Sequence, residues 1–146
     1  MSIVRADQEK LLEAAHLFNA YRMFYGQPSD LEGAVQFLSE RLEQKDSVIF
    51  IAYREGVAAG FVQLYPLFSS VGMKRTYILN DLFVDPGFRK RGLARELMEQ
   101  AFEFCKQEGA GSVSLQTAPD NHRAKALYEK AGMLLDREYD WYSKVL

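Results

Sequence analysis

Cysteine is nearly missing from this 146-residue chain: Cys105 is the only one, so no disulfide can close within one copy and no thiolate metal site can be assembled. It falls inside a helical pattern where a small apolar residue fits, which predicts a core position. Histidine is almost as scarce, and His16 and His122 do not form a metal-ligand spacing with each other, so no metal is expected. Long apolar runs are absent too. No stretch of about 18 apolar residues exists for a membrane span, and the first residues carry Asp7, Glu9 and Glu13 where a signal peptide would be apolar. A cytoplasmic protein with no membrane partner is the resulting expectation. Nor does charge of one sign dominate: 18 Lys and Arg against 20 Asp and Glu give a net charge of −2, which argues against nucleic acid as a partner. Hydrophobic residues at 48% and charged residues at 26% match ordinary globular composition. With no linker or repeat in view, residues 1–146 are read as one domain, large enough to hide roughly 70% of its unfolded surface.

What is present falls into a clear succession of elements. Ile3-Val4-Arg5 is a short strand candidate, and Asp7 can cap the helix that follows, in which Leu11, Leu12, Ala15, Leu17, Phe18 and Tyr21 recur near helical spacing. The aromatic break Met23-Phe24-Tyr25-Gly26-Gln27-Pro28 ends that helix and offers either a pocket wall or a hydrophobic corner. Ser29 or Asp30 caps a second helix with Ala34, Val35, Phe37, Leu38 and Leu42 on its inner side. From Ser47 the texture changes to strands. Val48–Tyr53, the Glu55-Gly56 turn and Val57–Tyr65 read as a hairpin ended by Pro66, and Arg75–Val84 is its third strand. A helix over about Leu93–Gln107, a strand at Ser112–Thr117, a helix closed by Gly132, and two short strands at Leu134–Glu138 and Asp140–Val145 complete the order βααβββαβαββ. This is an α+β fold with a mostly antiparallel mixed sheet. The crossover helix lets the Ser112 strand lie parallel to the Tyr77 strand. If that parallel pair splays at its C-terminal ends, the gap can admit an extended arm whose amides add to a strand edge.

The stretch Tyr77–Gln100 organises the rest. Tyr-Ile-Leu-Asn-Asp-Leu-Phe-Val reads as a largely buried strand stopped by Asp85-Pro86-Gly87, after which Arg89-Lys90-Arg91-Gly92-Leu93-Ala94-Arg95 opens a helix. A strand, a glycine-containing loop and a helix start gather backbone N–H groups at one point, and the helix dipole adds partial positive charge there. Such a place suits an anion. The small residues Gly92 and Ala94 let a phosphate approach the backbone, and the flanking cations reinforce it. The spacing is neither a Walker loop nor a dinucleotide fingerprint.

Arg89-x-x-Gly92-x-Ala94 resembles the Arg/Gln-x-x-Gly-x-Gly/Ala signature of the GNAT superfamily of N-acetyltransferases. A second stretch, Asn121-His122-Arg123-Ala124-Lys125-Ala126-Leu127-Tyr128-Glu129-Lys130-Ala131-Gly132, is similar to that family's Asn-x-x-Ala-x-x-Leu/Phe-Tyr-x-x-x-Gly pattern, in the same order and on the same kind of element. The resemblance implies acetyl-CoA as acetyl donor. It implies that Leu82, Phe83 and Val84 offer backbone groups to pantetheine, and that Arg89, Lys90, Arg91, Gly92, Leu93, Ala94 and Arg95 hold the pyrophosphate. Asn121 would bind the cofactor arm, with an ordinary helix cap as its competing role. Tyr128 would serve as acid for the departing thiolate. A homodimer is the assembly the family implies.

For the acceptor amine the residues say less. From the Tyr25 region through Tyr128 the chain resembles the spermidine/spermine branch, in which a Glu-Asp pair sits where this chain has Asn80-Asp81. Asn80 cannot be a base and is read as substrate-binding. Asp81 is the candidate proton acceptor, through water, with a water chain of no dominant residue as the other candidate base, and a bulge would decide which of the two faces the site. Asn19–Tyr25 carries no carboxylate, so a polycation finds few partners there, and a small or medium primary amine that meets Phe24, Tyr25 and Tyr65 is equally compatible. A peptide or protein amine stays open as the alternative, as does a sensor that binds acyl-CoA without turnover.

Overall fold

The computed structural model describes residues 2–146, which fall into two compact units, one up to Gln116 and one from Thr117 to Leu146. In the first, β1 (Ser2–Arg5) and a 3-10 turn (Gln8–Lys10) lead into α1 (Leu11–Phe24) and α2 (Leu31–Gln44). Asp7 starts the turn by accepting the amides of Glu9 and Lys10 at 3.0 and 3.2 Å. Asp30 starts α2 by accepting Gly33 N–H at 2.9 Å. A short side-chain acceptor satisfies a donor that the first helical turn leaves without a partner. The meander β2 (Val48–Arg54), β3 (Val57–Ser69) and β4 (Lys74–Val84) follows, then α3 (Leu93–Gln107) and the two-residue β5 (Val113–Ser114).

The strands form one sheet in the order β1-β2-β3-β4-β5, antiparallel throughout except for the parallel pair β4 and β5. Side chains alternate across it, and each face finds its own helices. Ile49 and Ile51 of β2 join Phe61, Phe83 and the buried stripe of α1 and α2, which includes Ala14, Phe18, Ala34 and Leu38. Phe50, between them in sequence, turns to the other face and meets the ring of Phe104 of α3 at 5.7 Å. On α3 the buried positions Leu93, Leu97, Met98, Ala101, Phe104 and Cys105 recur at helical spacing, as the sequence pattern predicts. Leu97 is fully buried, and its truncation to alanine would cost about 2–5 kcal/mol.

Two features differ from the sequence expectation. Pro66 does not end β3: the strand runs through it to Ser69, with Pro66 opposite Tyr77. The pairing of β2 stops at Val48 opposite Leu64, so beyond that point β3 is bonded on one side only, and a residue without an N–H is tolerated on its free side.

The second difference lies in the unit Thr117–Leu146. Its helix α4 (His122–Lys130) begins at Asn121, whose Oδ1 accepts Ala124 N–H at 3.3 Å, and ends where Gly132 takes φ +92° and Met133 N–H reaches Tyr128 O at 3.0 Å. The two strands expected at Leu134–Glu138 and Asp140–Val145 are not formed, so the observed order is βααβββαβα. A strand holds only with a ladder partner. Here Glu138 N–H is taken by Asp136 Oδ1 at 2.9 Å, a local turn that competes with extended pairing, and Leu134, Tyr142 and Val145 stay more than nine-tenths exposed.

Candidate active site

The parallel pair is brief. Tyr77 lies opposite Val113 and Ile78 opposite Ser114, after which β5 ends while β4 continues to Val84. The ladder between them therefore stops there, and the edge of β4 past Ile78 is left without a parallel partner. At that point β4 carries a bulge. Gln63 pairs with Asp81 and Leu64 with Leu79, which leaves Asn80 as the extra residue.

The bulge turns Asp81 into the face shared with α1. Ser47, Gln63 and Asp81 are the buried polar residues among those described, and they form a single chain of hydrogen bonds. Ser47 Oγ donates to Gln63 Oε1 at 2.7 Å, and Gln63 Nε2 donates to Asp81 Oδ2. Asn80 Nδ2 donates to Asp81 Oδ1 at 2.8 Å. Burial pushes the Asp81 carboxyl above the usual carboxylate range, while the bonds from Gln63, Asn80 and Tyr21 hold it back in part. A carboxyl raised in this way has the character of a general base. Phenols surround it. Burial, and next the charge of Asp81, raise both Tyr21 and Tyr65 well above the ordinary phenol value, so both stay neutral hydroxyls.

Downstream of β4, Asp85 Oδ1 accepts Gly87 N–H at 3.0 Å and shapes a 3-10 turn at Pro86–Phe88. Lys90 and Gly92 then take positive φ, 64° and 81°, and Gly92 stands at the start of α3 with no side chain capping the first turn. A β-carbon on Gly92 would meet nothing within 4 Å. The first turn of α3 is therefore free of a capping side chain, and the space beside Gly92 is open. This arrangement fits an anion such as a pyrophosphate. Lys90 and Arg91 are exposed, Leu93 is buried beneath the turn, and Ala94 is half-buried.

Two of the predicted phosphate ligands are already engaged. Arg95 pairs with Glu99 at 2.9 Å. Arg89 Nε donates to Val84 O at 2.8 Å, and its guanidinium lies over the rings of Phe24 and Phe83 at 5.2 and 5.6 Å. Arg89 thus ties the end of α1 to the end of β4, and the Val84 carbonyl has a partner in place. Phe24 and Tyr25 are each 62% exposed on the last turn of α1, with Tyr25 edge-on to Tyr21 at 5.0 Å. Tyr65 is half-buried and Asn80 exposed, while Leu82 and Phe83 follow on the strand edge. In the other unit Tyr128 is half-buried on α4, two turns after Asn121, whose side-chain oxygen serves as the helix cap.

Sequence reasoning passed over Ser47, Gln63 and Tyr21. A signal existed for Gln63, the one polar residue in the apolar run Phe61–Leu64, but which face it met depended on a bulge that no local pattern specifies.

A mixed sheet whose parallel ladder stops early, a basic loop opening onto an uncapped helix and a buried carboxyl on the strand left without that partner is the arrangement of an acyl-transfer enzyme. The family model for the acetyltransferase (GNAT) family matches residues 13–133, and the chain belongs to that family of acetyl-CoA-dependent enzymes. It is 48% identical to the uncharacterized N-acetyltransferase YhfO of Bacillus subtilis, over 97% of this chain and 95% of that protein. The crystal structure of a probable acetyltransferase superposes with a TM-score of 0.95 at 38% identity, covering 100% of this chain and 98% of the other. An aminoglycoside N-acetyltransferase solved in complex with CoA shares the fold at a TM-score of 0.80 and 23% identity, covering 98% of this chain and 93% of the other.

Proposed function

We propose that the protein transfers the acetyl group of acetyl-CoA directly to the primary amine of a small molecule, with Asp81 as the proton acceptor for the amine and Tyr128 as acid for the leaving thiolate. The observation that carries this reading is the buried Asp81, hydrogen-bonded by Gln63 and Asn80 at the bulge where β4 leaves its parallel partner, in the same unit as the uncapped start of α3. The donor supplies an activated acetyl thioester. The amides at Gly92–Arg95, with Lys90 and Arg91, would hold its pyrophosphate, and the free edge of β4 at Leu82 and Phe83 would take the pantetheine amides. The amine enters past Tyr25, Tyr65 and Asn80, yields its proton to Asp81 directly or through an intervening group, and attacks the carbonyl; the tetrahedral oxyanion then collapses as the thiolate takes a proton from Tyr128.

A small amine suits these surroundings better than a polycation, because Asn19–Tyr25 contains no carboxylate and the rings of Phe24 and Phe83 already hold the Arg89 cation. Polyamine and protein-lysine acetylation are the alternatives, and a homodimer is the assembly we assign from the family. The test is thiol release from acetyl-CoA across a panel of monoamines, aminoglycosides, polyamines and lysine peptides. Turnover is expected to be fastest with a small-molecule primary amine. A protein that binds acetyl-CoA yet releases no thiol with any of them is a sensor, and that result overturns the reading.

A further inference from the structure

Asp81 is only 2% exposed, and donors from Asn80 and Gln63 already occupy its oxygens, so an amine arriving from solvent does not meet the carboxylate face to face. Tyr21 spans that distance. It sits on α1 and is half-exposed, its ring fixed edge-on against Phe61 at 5.8 Å and Phe83 at 6.3 Å. With the ring held, the hydroxyl lies 3.4 Å from the carbonyl of Asn80, whose own side chain is bonded to Asp81, and it interacts with the Asp81 carboxylate.

We propose that Tyr21 is a catalytic proton relay between the acceptor amine and Asp81. This rests on the acetyl-transfer reading above and adds a residue to it. The amine's proton passes to the Tyr21 oxygen as the Tyr21 hydroxyl proton passes to an Asp81 oxygen. Tyr21 ends neutral, Asp81 ends as the carboxylic acid, and the amine nitrogen keeps the lone pair with which it attacks. A relay of this kind needs the hydroxyl proton in place before each turnover. The environment provides it, since burial and the neighbouring carboxylate keep the phenol protonated. The groups facing this pair are Tyr25 from α1, Tyr65 and Gln63 from β3, and Asn80 from β4; Arg41 and Asp46 at the end of α2 act on Tyr65 with opposite sign.

Tyr21→Phe keeps the ring packing and removes only the hydroxyl. We expect kcat/KM for acetyl transfer to fall about 10–100-fold with acetyl-CoA affinity and Tm little changed. Asp81→Asn is expected to lose at least as much, and the double variant no more than the deeper single one, because the two groups act in series. The acid limb of kcat/KM moves to higher pH in Tyr21→Phe, since Asp81 loses a donor to its ionised form. A 13C titration of the Asp81 carboxyl in the cofactor-free protein reads the same upward move without turnover. Wild-type activity in Tyr21→Phe beside an impaired Asp81→Asn overturns the relay and leaves acetyl transfer standing. Losses that add in the double variant, or an unmoved 13C midpoint, also overturn it. An Asp81→Asn enzyme as active as wild type removes Asp81 as the proton acceptor, and with it both readings.

Discussion

Tyr77 and Phe83 stand an even number of residues apart on β4 yet face opposite sides of the sheet. Tyr77 meets Phe104 of α3 with ring centroids at 5.7 Å, and Phe83 meets Tyr21 of α1 at 6.3 Å. A regular strand would put both on one face. The extra residue at Asn80 shifts the alternation between them, and it carries Asp81 to the side where α1 supplies phenols. The bulge thus lies upstream of the site's chemistry, and several expectations depend on it.

Asp81 should weaken the fold at neutral pH. Its folded pKa is raised above the unfolded one, so its favourable contribution belongs to the protonated form. That contribution is fully present below the unfolded value and is lost as pH rises through the folded one. Asp81→Asn, with the Gln63 amide free to turn over and keep its bonds to Ser47 and residue 81, should therefore gain in Tm relative to wild type as pH climbs from the ordinary carboxylate range to neutral and beyond. Thermal melts across that range check it, and a gap that narrows with rising pH has the wrong sign.

Tyr128→Phe should lower turnover about 100-fold while the Kd for acetyl-CoA changes little, because a hydroxyl that serves the leaving thiolate works in the transition state and adds little to binding. Steady-state kinetics beside calorimetric titration separate the two. Unchanged turnover would take Tyr128 out of the mechanism.

Gly92→Val should act chiefly on cofactor binding. The backbone at Gly92 takes φ +81°, which a branched residue resists at a cost of about 1–2 kcal/mol, and on the order of 3 °C in Tm follows for each kcal/mol. The new side chain meets no protein atom but projects into the open space before α3. Affinity for CoA should drop by about tenfold or more because the side chain occupies the place of the phosphate, whereas the strain, present with and without CoA, acts on Tm. Normal affinity would refute the phosphate cradle.

Cys105 should be inert in the folded protein. It is buried on α3, and burial pushes its thiol up to about 11, so almost no thiolate exists at neutral pH. Ellman's reagent should react with one equivalent only after unfolding, and rapid reaction with the native protein would place Cys105 outside the core.

Much of this was legible because it is local. The stripe on α3, the caps at Asp7, Asp30 and Asn121, the Glu55-Gly56 turn and the stop at Gly132 each depend on residues within a few positions of one another, where spacing and side-chain chemistry act directly. The two C-terminal strands were misjudged for the converse reason. Their alternation is local, but a strand exists only through a partner, and Asp136 gives the backbone a nearer one.

The order of residues by itself determined the family signatures at Arg89–Ala94 and Asn121–Gly132, the glycine that opens α3, and the succession of helices and strands. Only the tertiary structure decided that Asp81 is buried, that Gln63 and Ser47 hold it, and that Tyr21 of α1 lies beside it. The physical reason is the pairing of β3 with β4. One unmatched residue in that ladder reverses which side chains face α1, and a reversal of that kind is set by the partner strand across the sheet.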